Sequence, residues 1–280
     1  METAAVFSMV LFSVFFLPSC GGTSNPAGPG ESQYSPYEGP GVDHRCTDLQ
    51  SVPQQWIEAV QNGTKLHYAH TSHGGQLTEG LQRIEDDDSF YSVAIGYSTL
   101  PTESGALCIF DGQADETYVG PELFWETPEG MDMTRAVLDA NPQINVCMWS
   151  WCTQLDWYGE EEVENYLDAM STLENEYPGV TFVYMTGNAQ SQGDEGFNRF
   201  QRNNQIRQFC EDNGRYLFDF ADMDCWYNGE QHTYNYQNMA IPSEHPHYYG
   251  DEAGHTTYES CENKGAALWW LLALLQGMTP

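Results

Sequence analysis

Five short blocks carry side chains suited to nucleophilic chemistry. The first is His70-Thr71-Ser72-His73-Gly74-Gly75, in which a serine sits on a Gly-rich turn. If a strand precedes that turn and a helix follows it, backbone N–H groups and the helix dipole can hold a developing oxyanion beside Ser72. The plainer role for Ser72 is to cap the helix. The others are Asp111-Gly112-Gln113, Ser150-Trp151-Cys152-Thr153-Gln154, Thr186-Gly187-Asn188 and Asp251-Glu252-Ala253-Gly254-His255. A hydroxyl nucleophile needs a base within reach, an orienter for that base, and donors for the oxyanion. Ser72 is a candidate hydroxyl and His255 a candidate base, with the acidic residues Asp251 and Glu252 just before it. The backbone N–H of Gly112 and the side-chain amide of Gln154 are candidate donors.

Other readings use the remaining histidines and aromatics. His245-Pro246-His247 with Asp251 and His255 offers three imidazoles and a carboxylate, enough for an open zinc site that activates water in a deacetylase. His67, His70 and His73 fall every third residue, a spacing that alternates faces on a strand. His70 shares a face with Ser72 and is expected to line the pocket, and the other two to be structural or solvated. Asp219, Asp222 and Asp224 with Asn228-Gly229 suggest a calcium loop but miss the EF-hand spacing. Trp125, Trp149, Trp151, Trp157 and Trp226 fall near loop ends and can stack on sugars, so a non-catalytic glycan-binding surface protein is a distinct class. No Gly-x-Gly-x-x-Gly or Walker pattern follows a strand, so no organic cofactor is implied, and the serine reading assigns no metal.

These blocks must be positioned by regular elements. Leu66–His70, Leu107–Phe110, Ile144–Trp149, Val180–Met185 and Tyr216–Phe220 read as strands. Between them, Leu77–Ile84, Glu161–Tyr177 and Phe197–Cys210 have helical spacing, and Ala266–Leu275 is an apolar final helix of core rather than membrane length. Alternating strands and helices predict an α/β fold, a three-layer α/β/α sandwich around a mostly parallel, flavodoxin-like sheet of five strands. Every block then falls at the carboxyl end of a strand or before the last helix, where such folds bind ligands.

The order of these blocks resembles the SGNH/GDSL hydrolases. More narrowly, His70-Thr71-Ser72-His73-Gly74, Trp149-Ser150-Trp151-Cys152, Phe182-Val183-Tyr184-Met185-Thr186-Gly187 and Phe218-Asp219-Phe220-Ala221-Asp222 resemble a group of exported SGNH-like proteins. The resemblance spans Lys65 to the C-terminus. It implies Ser72 as nucleophile, His255 as base, Glu252 at the family's acidic position, and an oxyanion hole of Ser72, Gly112 and Gln154. Gln154 stands where the family carries Asn, and Glu252 where it carries Asp. His70, Asn188 and Trp151 are expected to contact substrate. The implied activity is that of a serine esterase or acetylesterase acting on a small or carbohydrate-linked ester.

Composition bounds the partners. The 280 residues hold 9 Lys and Arg against 41 Asp and Glu, a net charge of −32. Such a surface repels phosphate backbones, which argues against nucleic acid and anionic membrane as partners. Aromatics at 14% can build a core, which excludes global disorder. Residues 1–20 read as a lipoprotein-type signal ending in Leu17-Pro18-Ser19-Cys20, residues 21–43 as a Gly/Pro/Ser tether, and 44–280 as the hydrolase-like domain. The only expected membrane contact is a lipid on Cys20, placing the protein outside the cell or at its envelope. Seven further cysteines leave at least one thiol unpaired.

Overall fold

The computed structural model describes residues 37–279, so the signal and lipid-anchor readings lie outside the described residues. The central sheet has seven strands, paired in parallel throughout: β1 (Gly41–Val42), β2 (Lys65–His70), β3 (Val93–Tyr97), β4 (Leu107–Asp111), β5 (Val146–Ser150), β6 (Thr181–Met185) and β7 (Leu217–Phe218). Their spatial order is β1-β7-β6-β5-β2-β4-β3. The expected five strands are present, the last of them shortened, and two edge strands are added. β1 is two residues long and β3 carries a glycine, so neither has a readable period. β1 also corrects the tether boundary. Tyr37, Val42 and Asp43 are buried, and Tyr37 Oη donates to the Arg215 carbonyl at 2.8 Å.

The inner strands read β4-β2-β5-β6-β7, the doubly wound order with its switch point at β2. Chain direction reverses there. Steps into β2 and beyond it run through α1 (Gln54–Gly63) and α2 (Gly75–Asp87), whereas α3 (Pro128–Ala140), α4 (Glu160–Glu176) and α5 (Gly193–Asn213) carry the steps the other way. Right-handed crossovers therefore place the two sets on opposite faces. α7 (Tyr258–Leu275) packs with α1 and α2, and α4 packs with α5. Between β7 and α7 lie α6 (Phe220–Cys225) and two short antiparallel hairpins, β8 (Trp226–Tyr227) with β9 (Glu230–Gln231) and β10 (Thr233–Tyr236) with β11 (Met239–Pro242).

Local chemistry explains the helix ends. Thr127 accepts from the Gly130 amide at the start of α3, Glu162 folds back to accept from Gly159 N in α4, and α5 stops at Gly214 with φ +60°. β5 (Val-Cys-Met-Trp-Ser) is buried along its whole length, as a central parallel strand must be. Its Trp149 packs with Trp125, Trp151 and Tyr166 in a cluster of mostly edge-to-face rings, with centroids 4.7–6.1 Å apart. Among the described residues no helix is long and apolar enough to cross a membrane.

Candidate active site

β2 ends at His70 and turns through Thr71–Gly74 into α2. The turn is tight enough that a Cβ on Gly74 would overlap the His70 side chain and lie 2.8 Å from Ser150 Cβ. The next strand in the sheet, β5, releases Trp151 and Cys152 directly beside this turn. Cys152 Sγ lies 3.1 Å from His73 Nδ1 and 3.4 Å from Ser72 Oγ. On its other side, His73 Nε2 meets Gln190 Oε1 at 2.9 Å. Gln190 comes from the loop after β6, so three consecutive strands of the sheet feed one cluster.

The electrostatics single out this thiol. Burial works against a Cys152 thiolate, but hydrogen bonds with His73 and Ser72 and the charge of His73 outweigh it, bringing the thiol down to about 6. Burial likewise opposes the charged form of His73, yet its contacts with Cys152 and Gln190 raise it above the ordinary histidine value. Ser72 and His73 precede Gly74, the N-cap of α2, where the helix dipole favours negative charge. By contrast, burial pushes Cys147, Cys210 and Cys225 far up and Cys261 to about 11. Cys46 is in a disulfide.

Several expected roles are redistributed. Ser72 does not cap α2, because that helix has no side-chain cap. His73, expected to be structural or solvated, is buried against the thiol. Gly112 N donates to the Tyr68 carbonyl at 2.9 Å, so it is not an oxyanion donor. Gln154 turns its Oε1 back to accept from Cys152 N at 2.8 Å, which makes it a brace for the loop. Asn188 is buried and also braces that loop, donating to the Cys152 carbonyl at 2.6 Å. Trp151 is a core residue whose Nε1 donates to Met185 O, and His70 Nε2 sits 3.0 Å from Asp111 Oδ1. All three thus make contacts within the framework of the fold.

His255 reaches the site by another route. Ala253-Gly254-His255-Thr256 forms a turn in which Gly254 (φ +54°) and His255 (φ +69°) are both left-handed, bridged from Ala253 to Thr256. Gln76 Nε2, in the first turns of α2, donates to the Gly254 carbonyl and clamps the turn. The His255 ring lies 4.9 Å from that of His73, with its side chain 53% exposed. Its Nδ1 is 3.4 Å from Asp251, while Glu252 accepts from Tyr258 N at the start of α7. Asp251 is therefore the carboxylate beside this imidazole, and the two histidines share the mouth. His245 and His247 do not join them: His247 bonds Glu259 at 2.7 Å and stacks on Tyr227, and His245 accepts from His247 N.

The three aspartates of the suspected calcium loop each take a cationic partner. Asp219 receives a two-pronged pair from Arg207 at 2.7 Å, Asp222 pairs with His44, and Asp224 lies 2.7 Å from Lys264 Nζ. Among the described residues, Asp43, His44 and Asp222 are the group whose donor atoms are close enough for a metal ion, and Arg45 already holds Asp43.

The sequence reading points to these strand ends but does not single out Cys152, His73 or Gln190, which the structure brings together there. A signal existed for two of them. Cys152 falls three residues past the predicted strand Ile144–Trp149 in a chain with an odd thiol, and His73 adjoins Ser72. No family model and no curated protein sequence matches the chain.

Proposed function

We propose that this chain is an exported hydrolase of small or carbohydrate-linked acyl esters, built on an SGNH-like fold and working through a covalent acyl-enzyme. The attacking atom in this reading is Cys152 Sγ rather than Ser72 Oγ. One observation carries it: Cys152 Sγ and His73 Nδ1 stand 3.1 Å apart at the switch point of the sheet. Histidine takes the thiol proton, and the thiolate attacks the acyl carbon. The tetrahedral intermediate expels the alcohol, which receives the proton from His73, leaving a thioester on Cys152. Water, deprotonated by His73, then attacks the thioester and releases the acid, returning the proton to the thiol. In this reading the Ser72 hydroxyl, 3.4 Å from Sγ, donates to the thiolate and then to the oxyanion that forms on the carbonyl oxygen when sulfur adds. Trp157, 64% exposed on the loop that follows Cys152, offers a stacking face that favours a sugar-bearing substrate.

The test is peptide mapping after treatment with iodoacetamide or with a serine-reactive fluorophosphonate. The expected result is one carbamidomethyl adduct, on Cys152, and loss of p-nitrophenyl acetate hydrolysis in Cys152→Ala. A fluorophosphonate adduct on Ser72, with turnover intact in Cys152→Ala, would return the nucleophile to the serine. No adduct and no hydrolysis by a folded chain would leave glycan binding as the better reading.

A further inference from the structure

We propose that Gln190 and Glu244 form a positioning relay behind His73 that fixes which of its ring nitrogens faces the Cys152 thiol. This rests on the reading of Cys152 as nucleophile. The Gln190 amide has two N–H bonds, and both are committed: Nε2 donates to Glu244 Oε1 at 3.1 Å and to the His255 carbonyl at 2.6 Å. Its oxygen is therefore the atom turned to His73 Nε2, 2.9 Å away. An amide oxygen only accepts, so His73 must carry its proton on Nε2. Nδ1 is then left with its lone pair aimed at Sγ, the tautomer able to take the thiol proton. The reversed amide would set its oxygen against the Glu244 carboxylate and the His255 carbonyl, three acceptors with no hydrogen between them. Glu244 and the His255 carbonyl thus select the tautomer from one residue away.

Glu244 is itself held from several elements. Its backbone N donates to Ala189 O at 2.7 Å, and Thr256 Oγ1 donates to its Oε1 at 3.3 Å. Asp224 from α6 and Lys264 from α7 face it with opposite charge. Burial first and Asp224 second push its carboxyl up to about 7, so its charge develops above the pH at which the thiol ionises. Neither Gln190 nor Glu244 is assigned to substrate, and both act through His73.

The experiment is the pH dependence of Cys152 carbamidomethylation in the full chain, which needs no ester turnover. Gln190→Leu, which removes the acceptor on His73 Nε2, is expected to move the midpoint upward by roughly one pH unit, slowing alkylation well below both midpoints by about tenfold. The exchange variant Gln190→Glu with Glu244→Gln puts the carboxylate directly on His73 Nε2 and the amide behind it. Its midpoint should return to the wild-type value or fall below it. Nitrogen-15 NMR of the unaltered protein should show neutral His73 protonated on Nε2, and this measurement stands if a variant fails to fold. An unmoved midpoint in folded Gln190→Leu, or an Nδ1–H tautomer in the wild type, would overturn the relay. A wild-type thiol that alkylates only near the ordinary cysteine value would instead overturn Cys152 as nucleophile, so the two failures are distinguishable.

Discussion

Cys152 and Ser72 sit one contact apart but make different demands on their surroundings. A serine hydroxyl has to be deprotonated as it attacks, whereas a thiol brought down to about 6 is already ionised at neutral pH. Among the described residues the hydrogen bond of Ser72 Oγ is to Cys152, with none to His255. We therefore expect Cys152→Ala to lower kcat/KM for a short ester by roughly 10³-fold, within the range of a lost nucleophile–base pair. Ser72→Ala should cost less, roughly 10- to 100-fold, the loss of one donor, and should leave Cys152 open to alkylation. Turnover should climb as pH rises through about 6, where the thiol ionises. It should fall again above the raised value of His73, where the imidazolium that protonates the leaving alcohol is lost. A pH–rate profile on p-nitrophenyl acetate measures both limbs as values of the pair. The residue types were legible before the structure, but their pairing was not. The three-residue spacing of His67, His70 and His73 assumed that strand geometry continued to position 73, yet β2 ends at His70 and the turn swings His73 back toward β5.

Strands were easiest to read where they are buried on both faces. β4, β5 and β6 are mainly apolar runs and β2 sets Leu66, Tyr68 and Ala69 among histidines, and each matches the sequence reading within a residue or two. β7 is shorter than its apolar run because Asp219 leaves the sheet to cap α6, accepting from Asp222 N. α1 and α3 escaped notice because polar residues interrupt their apolar stripes. Helix contact adds a constraint that no periodicity displays. Gly80 of α2 meets α7 backbone to backbone: an added Cβ would overlap the Cys261 carbonyl, and one on Gly265 would come within 2.7 Å of the Gly80 carbonyl carbon. Both helices end in the site, α2 through the Ser72–His73 turn and α7 through the turn that carries His255. Gly80→Ala should therefore destabilise the fold by roughly 1–3 kcal/mol, measured by urea unfolding, because two backbones must separate. It should also lower turnover in the fraction that remains folded.

Charge is the property of the molecule as a whole. Of nine Lys and Arg residues, Arg207 and Lys264 are buried on Asp219 and Asp224, leaving still fewer cations at the surface. A net charge of −32 makes the compact state repel itself. Raising NaCl from 10 mM to 1 M shortens the Debye length from about 30 Å to about 3 Å and should raise the melting temperature, as scanning calorimetry would record. A flat response would mean that the acidic side chains are spaced widely enough not to interact.

The direction of β1 bears on how the molecule stands relative to whatever holds its N-terminus. β1 runs parallel to the other six strands, so the chain enters the sheet at the strands' amino ends. Cys152, His73 and Gln190 all leave from carboxyl ends. The point where the chain enters the sheet and the proposed site are thus at opposite poles of the domain. A molecule moored through its leading segment would hold that site away from the surface that carries it, open to large substrates.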